Sequence, residues 1–198
     1  MNRLPHKQPP AQRARRRTEM LSDLGEAINS ARDLDRMLEM LLEVTAKETG
    51  AERTSLFLND ERTNELFTRS ALGITSGEIR VPNDSGLAGH AFQSGESVII
   101  NDAYADARFN ASADKATGFK TRNILCVPVQ TLDGKTIGAA QALNKIDGQF
   151  SDDDQACLEA MATRAAKALL QAKFNERMNP PLIRVLNTFL RFIFGDRS

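Results

Sequence analysis

The stretch ILCVPVQTLDGKTIGAAQALN, running from Ile124 to Asn144, decides the fold. Its two arms, Ile124 to Val129 and Thr136 to Leu143, are short and apolar, and they flank the turn-forming Leu132-Asp133-Gly134-Lys135. Two such runs on either side of a compact turn read as a β-hairpin, so the strands are antiparallel neighbours. Alternation along the second arm puts Ile137, Ala139, Gln141 and Leu143 on one face. Gln141 is therefore an amide on an apolar face. Leaving it unpaired there would cost on the order of 1–3 kcal/mol, so it needs either a neighbouring backbone group or a bound ligand.

Upstream lie further short segments bounded by turn residues: Thr54 to Leu58, Leu66 to Leu72, Glu78 to Val81 and Val98 to Ile100. The polar connection 59–64 makes the first two a second hairpin. Ser85 to Phe92 reads as a short helix capped by Ser85. Gly86, Leu87 and Ala88 form its first turn, where free N–H groups and the positive dipole end can hold a phosphate, as at any helix start. Residues 101–123 are a long polar connection between strands, and connections of this length are functional lids or disordered segments. Within it Asp114, Thr117 and Thr121 stand at spacings of three and four, which aligns them if the segment is helical. One carboxylate and two hydroxyls can meet a purine edge and a ribose; the plain alternative is a set of solvated loop residues.

Helical periodicity brackets this β-rich centre. Met20, Leu21, Leu24 and Ile28 mark a short helix, and Leu34, Met37, Leu38, Leu41, Leu42 and Val44 a second that stops at Gly50. Ser151 opens a long helix through an S-x-x-D box with Asp154, and its stripe of Leu158, Met161, Ala165, Leu169 and Ala172 runs toward Met178. Pro180-Pro181 ends it, and a last apolar stripe from Leu182 to Ile193 suits a partner helix better than a membrane surface. Strands grouped together with helices around them give an α+β fold, an antiparallel sheet of five to six strands with helices on both faces.

The composition agrees with a soluble globular domain: 198 residues, 41% apolar and 26% charged, with 26 basic residues balancing 26 acidic ones. A balanced charge gives no pull toward nucleic acid or an acidic lipid surface. Residues 1–17 are a local exception, a proline- and arginine-rich arm read as disordered and solvated. Neither a secretion signal nor an apolar run long enough to span a membrane is found, so a cytoplasmic protein is expected. Cys126 and Cys157 form no CxxC pair, and His6 and His90 have no nucleophile or second metal ligand at a recognisable spacing. No catalytic residue, metal or obligatory cofactor is expected.

Several motifs together resemble a known family. These are Glu78-Ile79-Arg80-Val81-Pro82, Gly86-Leu87-Ala88-Gly89-His90, Asn101-Asp102-Ala103-Tyr104, and Thr117-Gly118-Phe119-Lys120-Thr121-Arg122-Asn123 leading into Ile124-Leu125-Cys126-Val127-Pro128. Over about residues 30–175 the chain is similar to the GAF domains of cyclic-nucleotide phosphodiesterases and bacterial adenylate cyclases. The family's signature of Asn-Lys, Phe and Asp-Glu is present as Asn144-Lys145, Phe150 and Asp154, with Gln155 in place of the Glu. The resemblance implies a salt bridge between Lys145 and Asp154 behind a ligand pocket. It assigns ligand contacts to Ser55, Leu87, Ala88, Asp114, Thr117, Thr121 and Gln141.

Ala71 and Leu72 replace a base-stacking aromatic and an acid of the phosphodiesterase domains, and Asn110 replaces a lid aromatic, which weighs against cGMP. The resemblance thus implies a non-catalytic sensor for a small ligand, with cAMP favoured, signalling through a homodimer of terminal helices. The domain division expected is an arm at 1–17, a GAF domain at 18–178 and an amphipathic helix or linker at 179–198. The alternatives are a ligand-free dimerisation or protein-interaction module, or the sensor part of a cyclase, phosphodiesterase, kinase or phosphatase. A methionine sulfoxide reductase of this fold would require reactive cysteines beside the pocket, which Cys126 in mid-strand and Cys157 on a helix do not supply.

Overall fold

The computed structural model of the protein describes residues 31–72 and 78–178. The basic arm, the helix expected from Met20 to Ile28 and the stripe from Leu182 to Ile193 lie outside the described residues.

The first described helix, α1 (Ala31–Thr49), buries Leu34, Leu38, Leu41 and Leu42 along one stripe, each such leucine worth about 2 kcal/mol of apolar burial. Thr45 and Thr49 sit in the same buried face because their hydroxyls donate to carbonyls four residues back, each at 2.7 Å. Gly50, at φ 63, turns the chain out of the helix in the left-handed conformation. β1 (Ala51–Asp60) and β2 (Glu65–Leu72) form the first hairpin, followed by β3 (Arg80–Pro82), α2 (Gly86–Ser94) and β4 (Val98–Ile100). A 3₁₀ turn (Ala103–Ala105) and α3 (Ser112–Thr117) occupy the long connection. β5 (Ile124–Gln130), β6 (Thr136–Lys145) and the long α4 (Asp152–Met178) complete the order.

The strands make one sheet in the order β3-β2-β1-β6-β5-β4, with every neighbouring pair antiparallel. The strands expected from sequence are all present, and β5 and β6 pair as expected from Ile124–Leu143 to Gln130–Thr136. The two faces carry different loads. On one, Leu56, Leu125, Val127, Ala140 and Ala142 pack under α1 and α4, joined by Leu158, Met161 and Ala165. On the other, Phe57, Leu66, Ile124, Cys126 and Ala139 pack under Leu87, Ala88 and Ala91 of α2 and Ala103 of the long connection. Helices therefore cover both faces.

Two sequence expectations change. Ile137 was placed beside Ala139, yet it packs with the α1–α4 face. The β5–β6 register shifts between Val129 and Gln130, and this bulge reverses the alternation ahead of Gly138. Ser85 occupies the N-cap position of α2, but its side chain makes no capping bond; its Oγ instead accepts from Asn110 Nδ2 at 3.1 Å. Gly138 is required by close approach, since a Cβ there would lie 2.0 Å from the Phe57 carbonyl oxygen.

Candidate functional site

The α2-covered face is where the sequence placed its polar outliers. Period two along β6 sets Gln141 on this face between Ala139 and Leu143, and the register makes Ser55 of β1 and Cys126 of β5 its lateral neighbours. Ser55 is buried and Gln141 half-buried, so a short polar row crosses the centre of an apolar face. Leu87 and Ala88 at the start of α2 bury their side chains in the same cluster.

The connection after β4 folds over this face as a lid, anchored by Ala103 and Phe109 in the apolar cluster. Its polar residues were expected to align on one helical face. Instead, α3 ends at Thr117, and Gly118 at φ 69 reverses the chain. Thr121 thereby returns to Asp114 from outside the helix. The Asp114 carboxylate, itself buried, accepts from the Thr121 N–H and hydroxyl, each at 2.7 Å, and from the Tyr104 hydroxyl at 2.9 Å. This bond from the phenol to a carboxylate pushes the Tyr104 titration upward. The Tyr104 ring also meets Phe109 edge-on at 5.1 Å, so the lid is closed upon itself by both polar and aromatic contacts. The Thr117 side chain lies outside the described ones.

The neck of the lid is tied to β6 by Asn144. This residue is buried at φ 56, a conformation that asparagine tolerates better than most. Its Oδ1 accepts from Arg122 N at 2.6 Å, while Nδ2 donates to Glu52 Oε2 and to the Lys120 carbonyl, each at 2.9 Å. Arg122 Nη2 donates to Glu52 Oε1 at 2.8 Å, and the bonds from Asn144 and Arg122 hold the Glu52 carboxyl below its ordinary range. The next residue, Lys145, donates to Asp154 Oδ2 at 2.6 Å and lies over the Phe150 ring at 5.7 Å. At the other wall Arg53 stacks its guanidinium 3.7 Å from the centre of the Phe119 ring.

Between the lid and α2, a groove of about 560 Å³ is lined on the lid side by residues 107–111. Arg108 bridges it: Nε and Nη2 donate to the Asp106 carboxylate at 2.9 and 2.7 Å, and Nη1 lies 3.1 Å from His90 Nε2.

Sequence reasoning gave no individual role to Tyr104, Phe119 or Arg122, which it named only within motifs, and did not single out Glu52, Arg53, Asp106 or Arg108. Among these only the D-x-R spacing of Asp106 and Arg108 carries a local signal; the others meet through chain reversals. Cys126 and Cys157 are free and buried, and burial pushes the Cys126 thiol up to about 12, which keeps it protonated and unreactive at neutral pH. Among the described residues no cluster of His, Cys, Asp and Glu could hold a metal, and no helix is long and apolar enough to cross a membrane.

Comparison with known proteins agrees with this architecture. The chain is 35% identical over 154 residues to the dual 3',5'-cyclic-AMP and -GMP phosphodiesterase 11A of Takifugu rubripes, covering 71% of this chain and 17% of that protein. It is 38% identical over 124 residues to the dual 3',5'-cyclic-AMP and -GMP phosphodiesterase 11 of Drosophila melanogaster, covering 61% of this chain and 8% of that protein. The chain thus spans less than a fifth of the length of either relative. Among solved structures, the GAF domain of a phosphoenolpyruvate-protein phosphotransferase from Coxiella burnetii superposes with a TM-score of 0.74 at 18% identity, covering 85% of this chain and 99% of that one. That likeness speaks for the fold. The family model described as the GAF domain matches residues 33–169, and the chain belongs to the GAF domain family.

Proposed function

We propose that this protein is a non-catalytic sensory module that binds a small ligand between the sheet and the 101–123 lid, a cyclic nucleotide in the first instance, and signals through its terminal helices. The observation that carries the reading is the pairing of Ser55 with Gln141 on a face otherwise built of Phe57, Ile124, Cys126 and Ala139, under a lid with its own buried carboxylate. Polar groups confined in an apolar site fix the orientation of a ligand while the surrounding surface supplies affinity. The similarity to phosphodiesterases that act on cyclic AMP and cyclic GMP supports a nucleotide.

In this reading Ser55, Leu87, Ala88, Asp114, Thr117, Thr121 and Gln141 line the ligand, and Ala71, Leu72 and Asn110 tilt the preference toward cAMP. The exposed Met40 on α1 and Leu170 and Phe174 on α4 support a homodimer through helices. A cytoplasmic location and an attached output domain, whether cyclase, phosphodiesterase, kinase or phosphatase, belong to the same reading.

Isothermal titration of the purified protein with cAMP and with cGMP tests it. Binding of cAMP tighter than cGMP, weakened by Gln141→Ala, is the expected result; the absence of heat for both nucleotides at about millimolar concentration, where binding is worth only about 4 kcal/mol, overturns the nucleotide assignment.

One observation favours a second reading, a ligand-free dimerisation module. Asp114 already spends its carboxylate on Thr121 and Tyr104, so a ligand must compete with those bonds. A dimer by light scattering whose mass is unchanged by nucleotide and by Thr117→Ala, with neither nucleotide bound, selects this reading.

A further inference from the structure

The contact between His90 and Arg108 has a chemical requirement that the rest of the lid lacks. A guanidinium only donates hydrogen bonds. With Arg108 Nη1 at 3.1 Å, His90 Nε2 must offer its lone pair, so the imidazole is neutral and carries its proton on Nδ1. Protonation puts a hydrogen on Nε2 as well, so Arg108 Nη1 loses its acceptor and two donors face each other at 3.1 Å, which ends that hydrogen bond. We propose that His90 and Arg108 form a pH-operated latch, which ties residues 106–111 of the lid to α2 while the imidazole is neutral and releases them when it is protonated.

The charged groups around the latch determine which side opens. From the lid come Asp106 and Arg108, from the turn before α2 comes Asp84, and the β5–β6 surface beneath α2 offers Ile124, Cys126 and Ala139. Of that last set only Cys126 titrates, and burial pushes its thiol up to about 12. Asp106 is held down at about 2, first by its bonds from the Arg108 side chain and the Arg108 N–H and in smaller part by the charge of His90. It therefore remains a carboxylate that also attracts the imidazolium; what protonation removes is the hydrogen bond to Arg108. Arg108 therefore stays with the lid, and the break falls between lid and helix. The Asn110–Ser85 bond, between neutral groups, persists through the change, so the segment loosens rather than detaches. Because the groove between α2 and residues 107–111 has this latch across it, opening widens that groove at the same time.

The latch stands without any nucleotide, so its test needs none. Backbone hydrogen exchange of residues 107–111 is compared at about pH 8 and about pH 5.5, on either side of the imidazole range and corrected for intrinsic rates, in the wild type and in His90→Gln. Glutamine retains an acceptor for Arg108 but does not titrate. Protection in the wild type should fall about fivefold at the lower pH, the loss of one solvent-exposed hydrogen bond, while His90→Gln stays level. Nitrogen NMR of the ring at the higher pH should find the proton on Nδ1. Equal protection at both pH values in the wild type, an equal fall in His90→Gln, or a proton on Nε2 overturns the latch. None of these results bears on whether cAMP binds.

Discussion

The ammonium of Lys145 donates to Asp154 Oδ2 at 2.6 Å and to the Thr49 carbonyl at 2.8 Å, so one side chain joins the end of β6 to the start of α4 and the end of α1. The same Asp154 oxygen accepts from the Ser151 N–H and hydroxyl, each at 2.9 Å, which makes the capping box and the ion pair a single unit. Asn144, one residue earlier, holds the neck of the lid. The lid and both flanking helices thus meet at two consecutive residues.

Removing Asp154 should be costly because it leaves a partly buried ammonium without its carboxylate and the Ser151 N–H without its acceptor. Asp154→Ala is expected to lose about 3 kcal/mol in urea unfolding, against about 1 kcal/mol for Ser151→Ala. Lys145→Met combined with Asp154→Ala should recover part of the loss, since the unpaired charge is gone. A single-mutant cost as small as that of Ser151→Ala would mean that the pair is effectively solvated.

Gly138 and Gly134 test close approach against backbone conformation. A methyl at Gly138 meets the Phe57 carbonyl, so β1 and β6 must separate. Gly138→Ala should cost at least about 3 kcal/mol. Gly134, at φ 83 with open space around it, should cost only about 1 kcal/mol when changed to Ala. Urea midpoints in the reverse order would contradict the strand packing.

Tyr104 is the only tyrosine, and the chain has no tryptophan, so its phenolate absorbance can be followed alone. The Asp114 carboxylate accepts its proton and repels the phenolate, so the midpoint should lie above the ordinary 10.0. Asp114→Asn should lower that midpoint and speed exchange of the Thr121 amide about tenfold, because both report the same carboxylate. An unchanged midpoint would separate Tyr104 from Asp114.

Cys126 makes a pH prediction with a definite sign. Its thiol is raised from 9.0 to about 12 in the folded chain, so the fold binds that proton more tightly than the unfolded chain does. The contribution is complete below the ordinary value and is lost as pH climbs toward the folded one. Unfolding free energy should therefore fall more steeply from about pH 9 upward in the wild type than in Cys126→Ala, and native protein should resist alkylation at neutral pH. Ready alkylation of the folded protein would refute this.

Much of this was readable in advance because it is local. Runs such as Leu34–Leu38–Leu41 and the alternation through Ala139, Gln141 and Leu143 are periods of one element, and the Ser151–Asp154 box spans a single helical turn. The lid was legible only as a length. Its bonds join Tyr104 to Asp114, Asp114 to Thr121 and Arg122 to Glu52, and such meetings follow from chain reversals that no periodicity records. Ile137 shows the same limit on a smaller scale: one bulge, invisible to a period-two count, moved it to the opposite face.

Hydrophobic spacing and turn chemistry were enough, on their own, to specify an antiparallel sheet clothed by helices, because each element answers to residues within a few positions of itself. Which polar groups spend their hydrogen bonds on one another was settled only once the chain had closed. Asp114 could face a ligand or Thr121, and His90 could be an inert surface residue or the acceptor for Arg108; the choice depends on distances between segments, and those exist only in the folded molecule.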